Sequence, residues 1–315
     1  MEPFLAAEAM ASGSLSFSEL SAFHQQLFPG VWVDRCADLS MLQKSRAGWL
    51  WSRRVAVLAG LSAAAALGAK WIDAHTPVEL IHDNRRPPSG IIVHPRNLLP
   101  GEVVTVQGMA VTTPARTAYD LGRRLELEEG VLRLDALMNA TALDVVEVEE
   151  LSARHPRARG LCRLRDTLSM VDGGAESPYE SLTRLLLVQN NFPVPQTQIE
   201  VVGGSGFVVA RIDLGWREYK VGVDFEGAHH WTEPRQFSKD IDRYAELPEL
   251  GWIDVRVTSG ILHNRPQVFL SRVADALSAR GCPQTWPTLG RWLLPEAVVG
   301  ARTPTQHADA YGRVS

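Results

Sequence analysis

The segment from Arg211 to Trp231, RIDLGWREYKVGVDFEGAHHW, places Asp213, Asp224 and Glu226 where the sequence otherwise alternates like two β-strands. Like charges held this close on a half-buried sheet repel one another unless a cation compensates them. Carboxylate oxygens are the donors that Mg²⁺ and Mn²⁺ prefer. The segment therefore predicts a divalent-cation site, with Mg²⁺ or Mn²⁺ as the cofactor.

The two strands are predicted to form a hairpin with a two-residue turn at residues 217–218. In this register Asp213 lies opposite Gly222, on the face that also carries Asp224. Diagonal neighbours on one face lie roughly 7 to 8 Å apart, so the two side chains can converge on one ion. Val223 and its alternate neighbours then face a core. The alternative is a solvated polar face whose charges happen to alternate.

Glu180 lies upstream in ESPYESLTRLLL, a helix start with Ser177 as the N-cap and Pro178 at the first helical position. Glu180 follows the cap by three residues, which predicts a capping box. It also lies four residues before Arg184, with which it can pair on the helix surface. The alternative is a catalytic carboxylate directed at the hairpin. Both interpretations stay open.

A basic patch occupies residues 154–165, RHPRARGLCRLR, around a proline and a glycine. Clustered guanidinium groups suit contacts with the phosphates of DNA, and the alternative is a solvated connector. Lys239 and Arg243, on a later polar helix, are further candidates for DNA contact. The arginines of the patch are Arg154, Arg157, Arg159, Arg163 and Arg165.

The composition limits the class of protein. The chain has 315 residues, 45% hydrophobic content and a formal net charge of −4, which suits two globular domains and argues against a uniformly basic DNA-binding coat. Three widely spaced cysteines form neither a zinc motif nor a disulfide framework, so a reducing cytoplasm fits best. The longest uncharged run falls short of the roughly 20 residues that span a bilayer. We expect neither secretion nor membrane insertion.

The chain divides into five regions of an α/β (α+β) protein. They are a shortened winged-helix-like segment (1–35), an α+β region (36–152), a basic linker and helix (153–175), an α/β domain (176–280) and a loosely ordered C-terminal tail (281–315).

Local signals place several elements within these regions. Two short helices are predicted at the N-terminus, the second starting after Ser16, followed by a turn at residues 29–30 and the strand VWV. Ser62 is predicted to cap the alanine-rich helix that follows the buried strand VAVLAG. Thr113 is predicted to cap the helix PARTAYDLGRRL, with Pro114 at its first position.

Residues 176–275 resemble the restriction-endonuclease-like PD-(D/E)xK superfamily, in particular a domain of unknown function related to very-short-patch-repair endonucleases. The matching motifs are SPYESLTRLLL with Glu180 and Arg184, RIDLGW with Asp213, VDFEGAHH, and KDIDRYAELPELGWIDVRV. The resemblance implies a central mixed β-sheet flanked by helices, a metal site and hydrolysis of DNA.

One motif departs from that family. Its relatives are expected to have Glu-x-Asp-Gly where this chain has Asp224-Phe225-Glu226, and no lysine follows two residues after Asp224. In the superfamily this lysine helps to orient or deprotonate the attacking water. A general base must come from elsewhere, and a histidine is the usual candidate near neutral pH. The substitutes are His230, His229, Lys239 and Glu226.

The first 150 residues resemble AbiEi-type antitoxin and transcriptional-regulator proteins, through LSFSELSAFHQQLFPGVWV, AVLAGLSAAAALGAKW and VTTPARTAYDLGRRL. That resemblance implies binding to promoter DNA and a cognate toxin as a partner. The recognition helix would be very short and poor in basic residues.

The leading hypothesis is a metal-dependent DNA endonuclease. Asp213, Asp224 and the backbone carbonyl of Phe225 would hold the cation, and a histidine or Glu226 would orient water for in-line attack. The second hypothesis is a DNA-binding regulator or antitoxin whose nuclease-like domain has little or no turnover. The third is a structural interaction protein. A nuclease needs metal and DNA together, whereas a repressor binds duplex DNA in a chelator.

Overall fold

The computed structural model describes residues 2–84, 86–204, 206–227, 246–287 and 292–293. The chain forms two compact units, Met1–Ser169 and Met170–Ser315. Helices and mixed sheets occur in both units, which confirms the predicted α/β class. The finer division into five regions stays a prediction.

The N-terminal part of the first unit holds two short helices and a three-stranded sheet of order β1-β3-β2. Ser16 caps the second helix through a capping box with Glu19, which confirms the predicted start. A strand that the sequence analysis did not predict, β2, follows this helix and pairs with β3. The elements are β1 (Phe4–Leu5), α1 (Ala6–Ala11), α2 (Phe17–Phe23), β2 (His24–Phe28) and β3 (Val31–Asp34).

The rest of the first unit is a five-stranded mixed sheet of order β6-β5-β4-β8-β7 with helices around it. Phe28 and Val31 from the N-terminal sheet share a hydrophobic core with Leu58 and Val111. The elements are α3 (Met41–Trp51), β4 (Val57–Leu58), α4 (Gly60–Ala66), β5 (Val78–Ile81), β6 (Ile91–His94), β7 (Val103–Val106), β8 (Met109–Thr112), α5 (Pro114–Arg124), α6 (Leu127–Thr141), α7 (Val145–Ala153) and α8 (Leu161–Leu168).

The two predicted helix caps of this region have different outcomes. Thr113 accepts a hydrogen bond from the amide of Arg116 and Pro114 begins α5, so this prediction is confirmed. The prediction for Ser62 is wrong, because Ser62 lies inside α4 and the residue at the N-cap is Ala59. The hydroxyl of Ser62 instead accepts a hydrogen bond from the amide of Glu79 at 2.9 Å.

A buried network of charged groups surrounds Arg116 of α5. Arg116 is 2% exposed, and its two carboxylate partners, Glu102 and Asp120, are completely buried. The ring nitrogen Nε2 of His155 lies 2.8 Å from Glu102, and Arg123 lies 2.8 Å from Asp120. Burial raises the pKa of Asp120, but the neighbouring guanidinium groups outweigh it and lower the pKa overall. The network therefore ties α5 to the strand region before β7 and to the end of α7.

We predict that Arg116→Met destabilises the first unit by about 3–5 kcal/mol, because it leaves two buried carboxylates without their shared cation. Chemical denaturation followed by circular dichroism measures this loss. Arg46→Gln is the matched control, since Arg46 lies in an exposed pair with Glu2 at 3.7 Å. Equal stability of Arg116→Met and Arg46→Gln would contradict the structural role of the network.

The second unit is a four-stranded mixed sheet of order β12-β11-β10-β9, in which only β11 and β12 are parallel. Helices α9 and α11 pack on one face around Leu186, Val223 and Phe269, and a smaller apolar cluster covers the other face. The elements are α9 (Pro178–Gln189), β9 (Gln196–Val202), β10 (Val208–Trp216), β11 (Val221–Glu226), β12 (Ile253–Thr258), α10 (Ser259–Asn264) and α11 (Pro266–Ala279).

The hairpin of β10 and β11 differs from the predicted one in its turn. The turn spans residues 217–220, so Trp216 pairs with Val221 and Gly215 pairs with Gly222. The predicted two-residue turn is wrong, and Gly222 does not lie opposite Asp213. A shift of two residues keeps each side chain on its predicted face, because the side-chain period of a strand is two.

The described part of the predicted tail is fixed to the second unit. Trp286 stacks on Phe192 with ring centroids 4.9 Å apart. The side-chain amide of Asn190 bonds both backbone groups of Leu293, at 2.8 Å and 2.7 Å. Loose attachment is therefore wrong for these residues, because aromatic burial and a pair of hydrogen bonds hold them. Residues 294–315 lie outside the described part of the chain.

Two further features concern the environment of the protein. Among the helices of the described residues, none combines the length and apolar character that crossing a bilayer requires. All three cysteines are free thiols, with Cys36 and Cys162 exposed and Cys282 buried.

Candidate functional site

Asp213 and Asp224 lie on neighbouring strands at the point where the backbone pairing of β10 with β11 ends. The amide of Asp213 donates to Oδ1 of Asp224 at 3.0 Å, and the amide of Phe225 donates to Oδ2 of Asp213 at 2.9 Å. Asp224 is only 3% exposed, so the alternative of a solvated polar face does not hold for it. The structure thus brings together the two carboxylates that the sequence predicts as metal ligands.

The first turn of α9 lies against this end of the hairpin. The ring of Tyr179 stacks on Phe225 with centroids 4.5 Å apart and planes 6° from parallel. Gln198 of β9 donates to Oε2 of Glu180 at 3.0 Å. In the register of β9 with β10, Gln198 falls between the residue pairs that flank Asp213. A neighbour of Asp213 on the next strand therefore holds Glu180 in place.

Glu180 forms only part of the predicted capping box. Its amide donates to the hydroxyl of Ser177 at 3.2 Å, which confirms the N-cap. Its carboxylate, however, accepts from the amide of Glu176 at 2.8 Å, one residue before the cap. Glu180 is 7% exposed, and this burial raises the pKa of its carboxyl group. A buried carboxyl with a raised pKa exceeds what a helix cap requires.

The raised pKa gives Glu180→Gln a defined effect on stability. The folded chain binds the Glu180 proton more tightly than the unfolded chain, so this stabilisation is fully present below the unfolded pKa near 4.5. It is lost as the pH rises through the raised pKa. Glutamine stays neutral at every pH. The melting temperature of Glu180→Gln relative to that of wild type should therefore rise as the pH increases from 4 to neutral.

Thermal melts across this pH range measure the effect. Glu176→Gln is the control, because Glu176 is half exposed and pairs with Arg211 at 2.8 Å. Parallel melting curves for Glu180→Gln and wild type at every pH would show that burial does not shift the titration of Glu180.

Glu226 is paired with an arginine that the sequence did not single out. Nη1 of Arg256 lies 3.3 Å from Glu226, and its Nε donates to Asp254 at 3.0 Å. Parallel pairing of β11 with β12 sets Arg256 beside Asp224. The motif ending in WIDVRV contained this residue, but the strand pairing that places it spans a long separation in sequence.

The aspartate pair fits a hydrated divalent cation. Mg²⁺ commonly takes one or two carboxylates from a protein and keeps several waters, and Asp213 and Asp224 supply that number. Across the residues that the structure describes, no group of three or more His, Cys, Asp and Glu side chains could hold a metal ion. The cation and the predicted carbonyl ligand of Phe225 stay predictions.

Several predicted site residues lie outside the described residues. These are His229, His230, Lys239 and Arg243. Their roles stay predictions.

The arginines of the basic patch lie on the loop from α7 to α8 and on α8 itself, within the first unit. Arg154 lies 3.6 Å from Glu102, and Arg163 lies 3.1 Å from Glu126. These two guanidinium groups have carboxylate partners. The other three arginines of the patch are exposed and form no ion pair among the described residues; they are Arg157, Arg159 and Arg165.

Comparison with known proteins gives relatives in Mycobacterium tuberculosis. The uncharacterized protein Rv2248 of strain H37Rv is 30% identical to this chain over 192 residues, which cover 61% of this chain and 70% of that protein. The uncharacterized protein MT2308 of strain CDC 1551 matches to the same extent. The chain belongs to their family. No protein-family model matches the chain, and no solved structure matches it.

Proposed function

We propose that the second unit is a metal-dependent DNA endonuclease of the very-short-patch-repair-like type, with a restriction-endonuclease-like fold. The observation that carries the proposal is the Asp213–Asp224 pair, in which two carboxylates are held together at the end of two strands. Neighbouring carboxylates repel one another, and a bound divalent cation would relieve that repulsion. The mixed sheet with helices α9 and α11 supports the resemblance to that superfamily.

The chain's own residues would position the reacting groups. Asp213 and Asp224 would hold Mg²⁺ or Mn²⁺, and their hydrogen bonds to backbone amides fix their orientation before the ion binds. The cation, when bound, supplies an electrophile that lowers the pKa of water and stabilises charge on the phosphate. Water would attack the phosphorus in line, forming one P–O bond as the bond to the leaving oxygen breaks.

Glu180 would exchange a proton near this centre. Its buried carboxyl has a raised pKa, and Gln198 fixes one of its oxygens at 3.0 Å. A carboxyl that titrates closer to neutral pH exchanges protons more effectively during turnover. His230 and Glu226 remain candidates for orienting water, although Arg256 already pairs with Glu226 at 3.3 Å.

The first unit would bind DNA and place it for the second. The exposed guanidinium groups of Arg157, Arg159 and Arg165 suit contacts with phosphates. Resemblance to AbiEi-type regulators supports the same role and admits a cognate toxin as a partner. Three free thiols suit a reducing cytoplasm as the place of action.

The second candidate function is a DNA-binding regulator or antitoxin with little or no nuclease turnover. It is favoured by the pairing of Glu226 with Arg256. Glu226 occupies the position at which the family's motif has lysine.

Incubation of the purified full chain with supercoiled, nicked and mismatched DNA tests the two functions. We predict Mg²⁺- or Mn²⁺-dependent cleavage of at least one substrate by wild type. Asp213→Asn and Asp224→Asn should lower the rate at least 100-fold, because each removes a negatively charged ligand. Arg217→Gln, a change in the exposed turn of the hairpin, is the control and should cleave like wild type.

The same preparations separate the alternatives. Cleavage that persists at the wild-type rate in both aspartate variants would assign the activity to another site or a contaminant. Absence of cleavage with tight binding to duplex DNA in a chelator would support the regulator instead.

A further inference from the structure

The loop between α7 and α8, residues 154–160, is attached near its start to a buried carboxylate. The ring nitrogen Nε2 of His155 lies 2.8 Å from Oε1 of Glu102, which is completely buried. The side chain of His155 is itself only 8% exposed, and its ring centroid lies 5.4 Å from that of Tyr119. Buried contacts of this kind oppose local opening of a loop.

The end of the same loop is held by Arg123 of α5. Nη1 of Arg123 donates to the carbonyl oxygen of Arg159 at 3.4 Å. Gly160 has a φ of +85°, and a Cβ atom on it would lie 2.2 Å from the carbonyl oxygen of Arg123. Any other residue at position 160 must therefore displace the loop or α5, in addition to adopting a backbone conformation that only glycine adopts readily.

Both anchors belong to the buried network around Arg116. Glu102 is an ion-pair partner of Arg116, and Arg123 lies 2.8 Å from the buried Asp120. The loop is therefore attached to buried charged groups rather than to other surface residues. This attachment argues against the interpretation of residues 154–160 as a solvated connector.

The anchored loop carries two arginines, Arg157 and Arg159, which are exposed and form no ion pair among the described residues. The planar guanidinium group of arginine matches the geometry of phosphate oxygens. Because the backbone that carries them is already held in place, binding has to order only the two side chains. A smaller ordering cost leaves more of the interaction free energy as affinity.

We propose that His155 and Gly160 are positioning residues for DNA, which hold the 154–160 loop so that Arg157 and Arg159 bind phosphates of the duplex backbone from a preformed loop. The proposal rests on the proposed function of the first unit in binding DNA. Contacts with phosphates carry no direct sequence information, so this loop would hold duplexes of any sequence.

Limited digestion of the full chain with trypsin tests the anchoring without DNA, because trypsin cuts after arginine. Cutting after Arg157 and Arg159, followed by mass spectrometry, should be slow in wild type. It should be about tenfold faster in His155→Ala and in Gly160→Ala, since cleavage requires local opening of the segment. His155→Gln should restore slow cutting, because its side-chain amide can still donate to Glu102.

Two variants control for the substitutions themselves. His75→Ala removes a histidine that is 97% exposed. Gly108→Ala places a Cβ atom on a glycine with a φ of +79° and no other atom within 4 Å of that position, so it reproduces the backbone strain without the close approach. Both controls should be cut at the two arginines of the loop at the wild-type rate.

Binding of a fluorescent duplex in a chelator, over a range of salt concentrations, tests the ligand. Each lost phosphate contact should lower the slope of log affinity against log salt by about 0.9, which we expect for Arg157→Gln and for Arg159→Gln. His155→Ala and Gly160→Ala should instead weaken binding about tenfold with the wild-type slope, because they add an ordering cost without removing a contact.

The outcomes separate this proposal from the endonuclease. Wild-type rates of cutting in both His155→Ala and Gly160→Ala would overturn the positioning role, even if the protein cleaves DNA. A loosened loop with unchanged duplex binding, or no duplex binding by wild type, would overturn the DNA contact. Weaker binding by these variants without any cleavage in Mg²⁺ would support the proposal and count against the endonuclease. Tighter binding of an RNA duplex than of DNA would overturn the choice of ligand.

Discussion

The reciprocal hydrogen bonding of Asp213 and Asp224 is the constraint around which the second unit is arranged. Each carboxylate accepts a hydrogen bond from a backbone amide of the opposite strand. At this position two negatively charged side chains therefore take the place of backbone-to-backbone hydrogen bonds. Backbone amides stabilise charged carboxylates, but they do not remove the repulsion between them. The first turn of α9 lies at the same end of the hairpin, with Tyr179 stacked on Phe225 and Glu180 buried.

The buried charges of the first unit are paired with opposite charges within the chain. Around Arg116 each buried carboxylate has at least one guanidinium partner within the chain, and no ion from outside is required. Removing one partner from a buried pair of this kind is strongly destabilising, because it leaves a buried charge without compensation. In the second unit Asp213 and Asp224 lie side by side, and each accepts a hydrogen bond from a backbone amide. Two carboxylates held together in this way are the physical reason for proposing a cation there.

Local signals in the sequence predicted two helix starts correctly. Thr113 and Ser177 cap their helices as predicted, because capping depends on residues within one turn. Asp213 and Asp224 share a face as predicted, although the predicted turn was wrong, because only an odd shift of register moves a side chain to the other face of the sheet. Arg256 was missed because its place depends on the pairing of β12 with β11, across a long stretch of chain. The partners of Arg116 were missed for the same reason, since Glu102 comes from a different element.

The central claim is that Asp213 and Asp224 bind one divalent cation. Calorimetric titration of Mn²⁺ into the full chain tests it most directly, because it requires neither DNA nor turnover. One site is expected in wild type, with at least a tenfold loss of affinity in Asp213→Asn, and wild-type melting of the variant is the check on folding. Equal binding of Mn²⁺ by wild type and a folded Asp213→Asn would contradict it.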